Sequence, residues 1–214
     1  MDKTSLRTLA LGRRDTIAAH RHDAKCSAIC AELVRTLDDV IDVRTNVAHD
    51  PAVCYRHEPL SVAVYQAMKS EVSISCFIDA VYERGMTVCF PCMMKSPRTP
   101  EEKSAMVFRA VPRERYECGT VPFLDHPLRS FQPNDPDLAP YPLVDASLLD
   151  LVIVPLVAFD ERNNRLGYGG GNYDRLLPAL RDDALAIGVA FEEQRLDAVP
   201  CDPHDQELPR IIVA

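Results

Sequence analysis

The sequence has no tryptophan, only 8 glycines among 214 residues, and aromatic residues at just 7%. Aliphatic side chains must therefore build most of any core. No apolar run approaches the roughly 18 residues that a membrane span needs. The first twenty residues are charged and lack the apolar stretch of a secretory signal. Those two absences predict a soluble, cytoplasmic protein with no membrane partner. An excess of basic residues is missing as well: the formal net charge is −8, which argues against general nucleic-acid binding. An anionic ligand would have to be held by a local cluster of Lys and Arg. There are no internal repeats or low-complexity tracts. At this length the chain suits one domain, residues 1–214, with a substantial buried core.

Cysteine is present, with 8 residues, but without the paired spacing of a metal site. Cys89-Phe90-Pro91-Cys92 stands alone as a C-x-x-C, and Cys26 and Cys30 fall on one helical face. Small buried hydrophobes in a reducing compartment are the expected role.

The scarce glycines crowd together. Gly167, Gly169, Gly170 and Gly171 lie within five residues. They follow the β-branched run Leu151–Val154, a strand covered on both faces, and the turn Asp160–Asn164, whose Asp and Asn residues bond to their own main chain. Glycine costs conformational entropy, so this density means either a flexible surface loop or a backbone that must approach something closely. From Asn172 or Tyr173 to Leu180 the pattern is helical. A glycine loop running into a helix N-terminus presents unpaired N–H groups to an anion, most simply phosphate. Arg165 before the loop and Arg175 after it supply guanidinium donors. Asp174 would repel an anion unless a Mg²⁺ ion lay between carboxylate and phosphate. No Gly-Lys-Ser/Thr follows the glycines, and they do not directly follow the strand, so neither the Walker A nor the Rossmann pattern applies.

The rest of the chain alternates strands and helices. Lys3–His20 and Asp23–Leu37 read as helices, the second with Cys26, Ile29, Cys30, Leu33, Val34 and Leu37 on its core stripe. Lys3 and Arg7 share one face of the first, as a solvated basic face or as phosphate ligands. Asp38–Pro59 is polar and irregular. Strands follow at Ser61–Tyr65, Met86–Phe90, Ala105–Val111, Leu185–Phe191 and Ile211–Val213. A helix capped by Ser73 or Ser75 and stopped by Gly85 separates the first two, and Ser96–Lys103 is a connection. Asp145–Leu149 forms a brief helical turn, and Gln194–Val199 a short helical segment. Pro112–Pro142 is too rich in proline for helix or central strand, leaving a passive wrap or a functional loop. This order predicts an α/β fold: three layers, with a mostly parallel central sheet flanked by helices. Gln66–Glu71 then falls at the carboxyl end of a strand, where such sheets bind ligands. His204 and Asp205 are adjacent, and no nucleophile is marked for them to serve.

Phe159-Asp160, Arg165 through Gly171, and Tyr173-Asp174-Arg175 together strongly resemble the signature of the 5-formyltetrahydrofolate cyclo-ligase family. Lys3-Thr4-Ser5-Leu6-Arg7 matches the family's N-terminal Lys-x-x-Leu-Arg. The resemblance implies ATP and a reduced folate as partners, Mg²⁺ as cofactor, and a monomeric enzyme. It assigns ATP binding to Lys3, Thr4, Ser5, Leu6 and Arg7 and to Arg165, Leu166, Gly167, Tyr168, Gly169, Gly170, Gly171, Asn172 and Tyr173. Lys3 and Arg165 would act on the transferring phosphate. Folate contacts would come from Gln66, Glu71 and the Gly170–Tyr173 edge, and metal ligands from Asp174 and Asp205. Two departures stand out. Asn172 replaces a second aromatic residue, and Asn163 replaces a turn glycine. A nucleotide- or folate-binding module without turnover is the alternative, and retention of Lys3, Arg7, Arg165 and Asp174 argues against it. A phosphosugar enzyme of similar architecture would need a catalytic carboxylate or Lys at the sheet edge, which the sequence does not mark.

Overall fold

A computed structural model of the chain describes residues 1–47, 59–95 and 104–214. The connection expected at Ser96–Lys103, and residues 48–58 of the stretch expected to be irregular, lie outside the described residues. Two helices open the chain, α1 (Lys3–Asp15) and α2 (Ala19–Val47). The first is shorter than its pattern predicts and the second longer, because the chain breaks at Thr16 rather than near His20. Residues 38–47, read as irregular, continue α2. Then come β1 (Ser61–Ala63), α3 (Ser75–Glu83), β2 (Thr87–Met94) and β3 (Ala105–Ala110). The proline-rich stretch carries α4 (Arg113–Glu117), α5 (Pro122–Asp125), β4 (Ser130–Phe131) and β5 (Leu143–Val144). The last third holds β6 (Leu151–Pro155), β7 (Ala158–Phe159), β8 (Arg165–Leu166), α6 (Asn172–Leu176), β9 (Leu185–Ala190) and β10 (Arg210–Val213). No helix among the described residues is long and apolar enough to cross a membrane.

Eight strands form one sheet in the order β10-β9-β6-β1-β2-β3-β5, with β4 beside the far half of β2. The run from β10 to β2 is parallel throughout, and β4 is parallel to β2. β3 and β5 turn back antiparallel at the edge. The mostly parallel sheet expected from the sequence is therefore present, closed on one side by an antiparallel pair. From β1 the chain moves outward to β2, then returns through β6 on the other side of β1. That reversal opens a crevice at the carboxyl ends of β1 and β6.

Side-chain alternation sorts the layers. Val62, Leu151 and Ile153 face α2 and α3, meeting Ile29, Leu33, Leu37, Phe77 and Val81. Ala63, Val152 and Val154 face the opposite layer with Leu176 and Leu208. The third-and-fourth spacing of Cys26, Ile29, Cys30, Leu33 and Leu37 buries all five, as the helical stripe predicts. Cys89 and Cys92 are buried on opposite faces of β2, since a strand reverses side with each residue. They form no redox or metal pair. Burial pushes the Cys89 thiol up to about 12 and the Cys30 thiol up to about 11, as suits packing rather than chemistry.

Proline 112 to 142 proves to be a packed wrap. Val121, Phe123, Phe131, Leu138 and Tyr141 join the core on the α2–α3 side. Phe123 meets Phe131 and Tyr141 edge to face. On the other margin, α1 lays Leu6 and Ala10 against Val157, Ala158 and Leu166 of the β7–β8 hairpin, a small cluster of its own. Gln194, fully buried, donates to the carbonyls of Leu156 and Val157 at 2.8 and 3.0 Å and so fixes the chain as it leaves β6.

Candidate active site

The hairpin that carries the glycine loop is pinned by one carboxylate. Asp160 accepts from the amides of Arg162 and Asn164 at 2.9 and 3.1 Å, from Asn164 Nδ2 at 2.9 Å and from the Val199 amide at 3.0 Å. Asn163 takes φ +61° in this turn, a conformation that Asn tolerates as glycine does. Burial alone would raise the pKa of Asp160; the bonds from Asn164, Val199 and Arg162 outweigh it and leave the group below its ordinary value. The hairpin sends Arg165 inward. Its guanidinium is buried, donates to Asp174 Oδ1 at 2.6 Å and also bonds the Gln206 carbonyl.

Between Arg165 and Asp174 the backbone is shaped by arginines. Arg7 Nε donates to the Gly167 carbonyl at 2.7 Å, and Arg175 Nη2 to the Gly170 carbonyl at 3.0 Å. No amide from Tyr168 to Gly171 finds an acceptor among the described residues. The loop thus gives the Gly167 and Gly170 carbonyls to guanidinium groups and leaves its donors open, on backbone that is mostly exposed. Gly169 and Gly171 sit at φ +98° and +63°, where a side chain would be strained. The helix expected after the loop is shorter than its pattern predicts. α6 stops at Leu176 and passes into a 3-10 turn, Leu177–Ala179, because Pro178 cannot donate to a continuing helix. Open amides, more than a helix dipole, give this loop its positive character.

Helix α1 brings three cations to one side. Lys3 Nζ lies 2.6 Å from both Asp202 Oδ2 and Asp205 Oδ2. Burial would lower the Lys3 pKa, but the two carboxylates win and raise it. Arg7 reaches the glycine loop as described. Arg14 is buried and donates to Tyr168 Oη at 3.1 Å and Ser70 Oγ at 3.0 Å. Leu6 is buried in the hairpin cluster, whereas Thr4 and Ser5 are exposed, the Ser5 amide being held by the Asp2 cap at 2.7 Å.

Across the crevice, Glu71 closes the loop after β1. It is buried, and its Oε2 accepts the Met68 amide at 2.8 Å. Tyr65, Tyr168 and Tyr173 surround it: burial first, then its charge, pushes the phenols of Tyr65 and Tyr173 up. Gln66 is exposed at the near end of the same loop. Asn172 Nδ2 points to Met93 Sδ at 3.9 Å, and its Oδ1 accepts from Arg175 at 2.6 Å.

The model of the 5-formyltetrahydrofolate cyclo-ligase family matches residues 2–214. The chain belongs to that family. A 5-formyltetrahydrofolate cyclo-ligase of Mycoplasma genitalium is 25% identical over 213 residues, covering 99% of this chain and 98% of that protein. The one from Escherichia coli K12 is 27% identical over 169 residues, 76% of this chain and 80% of that protein. The solved 5,10-methenyltetrahydrofolate synthetase of Mycoplasma pneumoniae superposes with a TM-score of 0.66 at 22% identity, covering 99% of this chain and 98% of the other. At that identity the superposition speaks for the fold.

The chain gathers Arg7, Arg165, Gly167–Gly171, Tyr173 and Asp174 around one loop, with Lys3 and Asp205 paired beside it and Glu71 against Tyr168 and Tyr173. Oxygen donors suit Mg²⁺. Asp174 Oδ1 is taken by Arg165 and the Gln206 amide, at 2.6 and 3.3 Å, while Oδ2 has neither. Asp205 precedes Gln206 and lies with Asp202 and His204 in a group whose ligand atoms are all within 4.8 Å of one another. The hard donor set fits the ion that the cyclo-ligase resemblance implies. Arg14 and Asp202 were not assigned from the sequence. Arg14 stands seven residues from Arg7 and eleven from Lys3, on the same helical face, and that spacing could have marked it. Asp202 has only its proximity to Asp205 as a signal.

Proposed function

We propose that the chain catalyses the ATP- and Mg²⁺-dependent cyclisation of 5-formyltetrahydrofolate to 5,10-methenyltetrahydrofolate, releasing ADP and phosphate. The observation that carries this reading is the loop 167–171, whose Gly167 and Gly170 carbonyls are held by Arg7 and Arg175 while the amides of Tyr168 to Gly171 stay open. An array of free amides flanked by guanidinium groups suits a triphosphate.

An amide formyl oxygen is a poor leaving group. In the proposed reaction it attacks the γ-phosphorus of ATP, and ADP departs. The resulting imidoyl phosphate carbon is attacked by the N10 amine; N10 loses its proton, and the C–O bond to phosphate breaks as the ring closes. Such chemistry asks the protein for alignment and charge neutralisation more than for a strong base. Lys3, Arg7 and Arg165 would neutralise phosphate oxygens, with Lys3 and Arg165 exchanging their carboxylate partners for phosphate. Asp174 and Asp205 would hold Mg²⁺, which supplies charge neutralisation at the phosphates when bound. Glu71 would accept the N–H donors of a pterin ring, with Gln66, Tyr173 and the Gly170–Asn172 backbone beside it.

Incubation with 5-formyltetrahydrofolate, ATP and Mg²⁺ tests this directly. The methenyl chromophore should appear only when nucleotide and metal are both present. Nucleotide binding without any chromophore would overturn turnover and leave a binding module.

A further inference from the structure

Arg14 stands at the end of α1, and its guanidinium touches both halves of the site. The residue is only 3% exposed. Nε donates to Ser70 Oγ at 3.0 Å, in the loop after β1, and Nη2 to Tyr168 Oη at 3.1 Å, in the glycine loop. Both acceptors are neutral hydroxyls. A buried guanidinium resting on two such groups is poorly placed to lose either, and its planar fork fixes the direction from one to the other. No backbone hydrogen bond joins residues 66–71 to residues 167–171 among the described residues; Arg14 is the side chain that bonds both segments.

We propose that Arg14 is a positioning residue that couples the two substrates, so that nucleotide and reduced folate each tighten the binding of the other. The inference rests on the cyclo-ligase reading above. Its neighbours on α1 extend the link in both directions. Arg7, two helical turns earlier, donates to the Gly167 carbonyl at 2.7 Å, and Asp15 accepts the Ser70 hydroxyl. The helix therefore holds the glycine loop at two successive residues and the loop after β1 at a third. That second loop keeps Lys69 at φ +53°, a conformation costly for a residue with a side chain. The Met68 amide on Glu71 at 2.8 Å and the Ser70 hydroxyl on Arg14 bracket it. Tyr168 also faces Glu71: burial first, and then the Glu71 carboxylate, push its phenol up, while the bond from Arg14 pulls it down. A triphosphate on the open amides would order the glycine loop, and Tyr168 with it. Through Arg14 the ordered phenol holds Ser70 and so presents the adjacent Glu71 to the folate; folate on Glu71 works the same route backwards. The second ligand then meets a loop that is already ordered, and linkage makes the effect equal in both directions. Where a formyl oxygen must meet the γ-phosphorus, this favours the complex with both substrates aligned.

The test is a binding cycle on the full-length protein with Mg²⁺, 5-formyltetrahydrofolate and a non-hydrolysable ATP analogue. Calorimetric titration of the folate with and without saturating analogue gives a ratio of Kd values. In the wild type the analogue should tighten folate about fivefold or more, and folate should tighten the analogue by the same factor. Ser70→Ala and Tyr168→Phe each detach one end of the link, and each should bring the ratio to within about twofold of unity. Ser70→Ala deletes a single half-buried hydroxyl, so it keeps the test in a folded protein, and its Kd for either ligand alone should stay near the wild-type value. Arg14→Lys keeps the charge and one bond but has no fork to reach both hydroxyls. It should lose the ratio as well; a lysine that restored it in full would reduce Arg14 to a buried charge and overturn the two-ended role. A ratio that survives in either Ser70→Ala or Tyr168→Phe overturns that role too. A wild-type ratio of 1 in a protein that still forms the methenyl chromophore overturns the coupling and leaves the cyclo-ligase reading standing. Coupled binding without chromophore supports the coupling and sinks turnover instead, and a protein that binds neither ligand overturns both.

Discussion

Two regions of this chain have little regular secondary structure, and they are held in opposite ways. The proline-rich wrap, 112 to 142, is anchored by apolar and aromatic side chains sunk into the core: Val121, Phe123, Phe131, Leu138 and Tyr141. The stretch from Asp160 to Arg175 is anchored by charges: Asp160 on four donors, Arg165 on Asp174, Arg7 and Arg175 on loop carbonyls. The buried anchors of the first arrangement stabilise the fold. The second leaves backbone donors open and its cations exchangeable. Irregular backbone is therefore no guide to function by itself; what holds it is.

The contrast can be broken from either side. The largest effect should come from the wrap. Leu138→Ala removes a buried side chain and should cost about 2–5 kcal/mol in urea unfolding, while turnover per folded molecule stays within twofold. A matching loss of kcat would tie that buried anchor to the site. Next comes Arg165→Ala, for which kcat/KM should fall tenfold or more, about 1.4 kcal/mol per decade; Asp174→Asn should behave alike. Near-normal kinetics in either would sink its assigned role. Tyr168→Phe should be smaller still. It deletes the acceptor of a bond from the charged Arg14, worth about 1 kcal/mol. We expect that loss as a slightly lower urea midpoint together with a higher KM for ATP.

How much of this was legible in the sequence follows the same division. The glycine loop was legible because its determinants are contiguous. Turn residues, glycines and flanking charges within 160–175 specify the local backbone whatever surrounds them. The strands of the parallel sheet were legible as β-branched runs, and the α2 stripe as a period of 3.6. The wrap was not legible as core, since proline hides apolar periodicity and Phe123 and Phe131 find each other only through the edge of β2. The antiparallel return of β3 was hidden too, because a strand's pattern carries no direction. At the site, Lys3 and Asp205 each carry a local signal, but their pairing and the part of Asp202 depend on contacts between residues 202 and 199 positions apart. Arg14 was visible as a basic residue; its burial, and its bonds to Ser70 and Tyr168, were not.

The smallest effect is a slope, and it separates the two regions most cleanly. Asp160 is depressed below the ordinary Asp value of 3.8. A depressed carboxylate contributes stability that is present in full above its unfolded value and is lost as pH falls through the lower native value. Asp160→Asn lacks that ionisation. The stability gap between wild type and Asp160→Asn should therefore be constant from neutral pH down to about 5. Below that it should narrow, by less than the roughly 1.4 kcal/mol per pH unit that one whole proton would give. Leu138→Ala removes no titrating contact, so its gap to wild type should stay flat over the same range. Urea midpoints for the three proteins between pH 7 and 3.5 measure both gaps. Parallel curves for Asp160→Asn and wild type would mean that the hairpin is not held by an ionised Asp160, and the charge-held half of the comparison would fail where it starts.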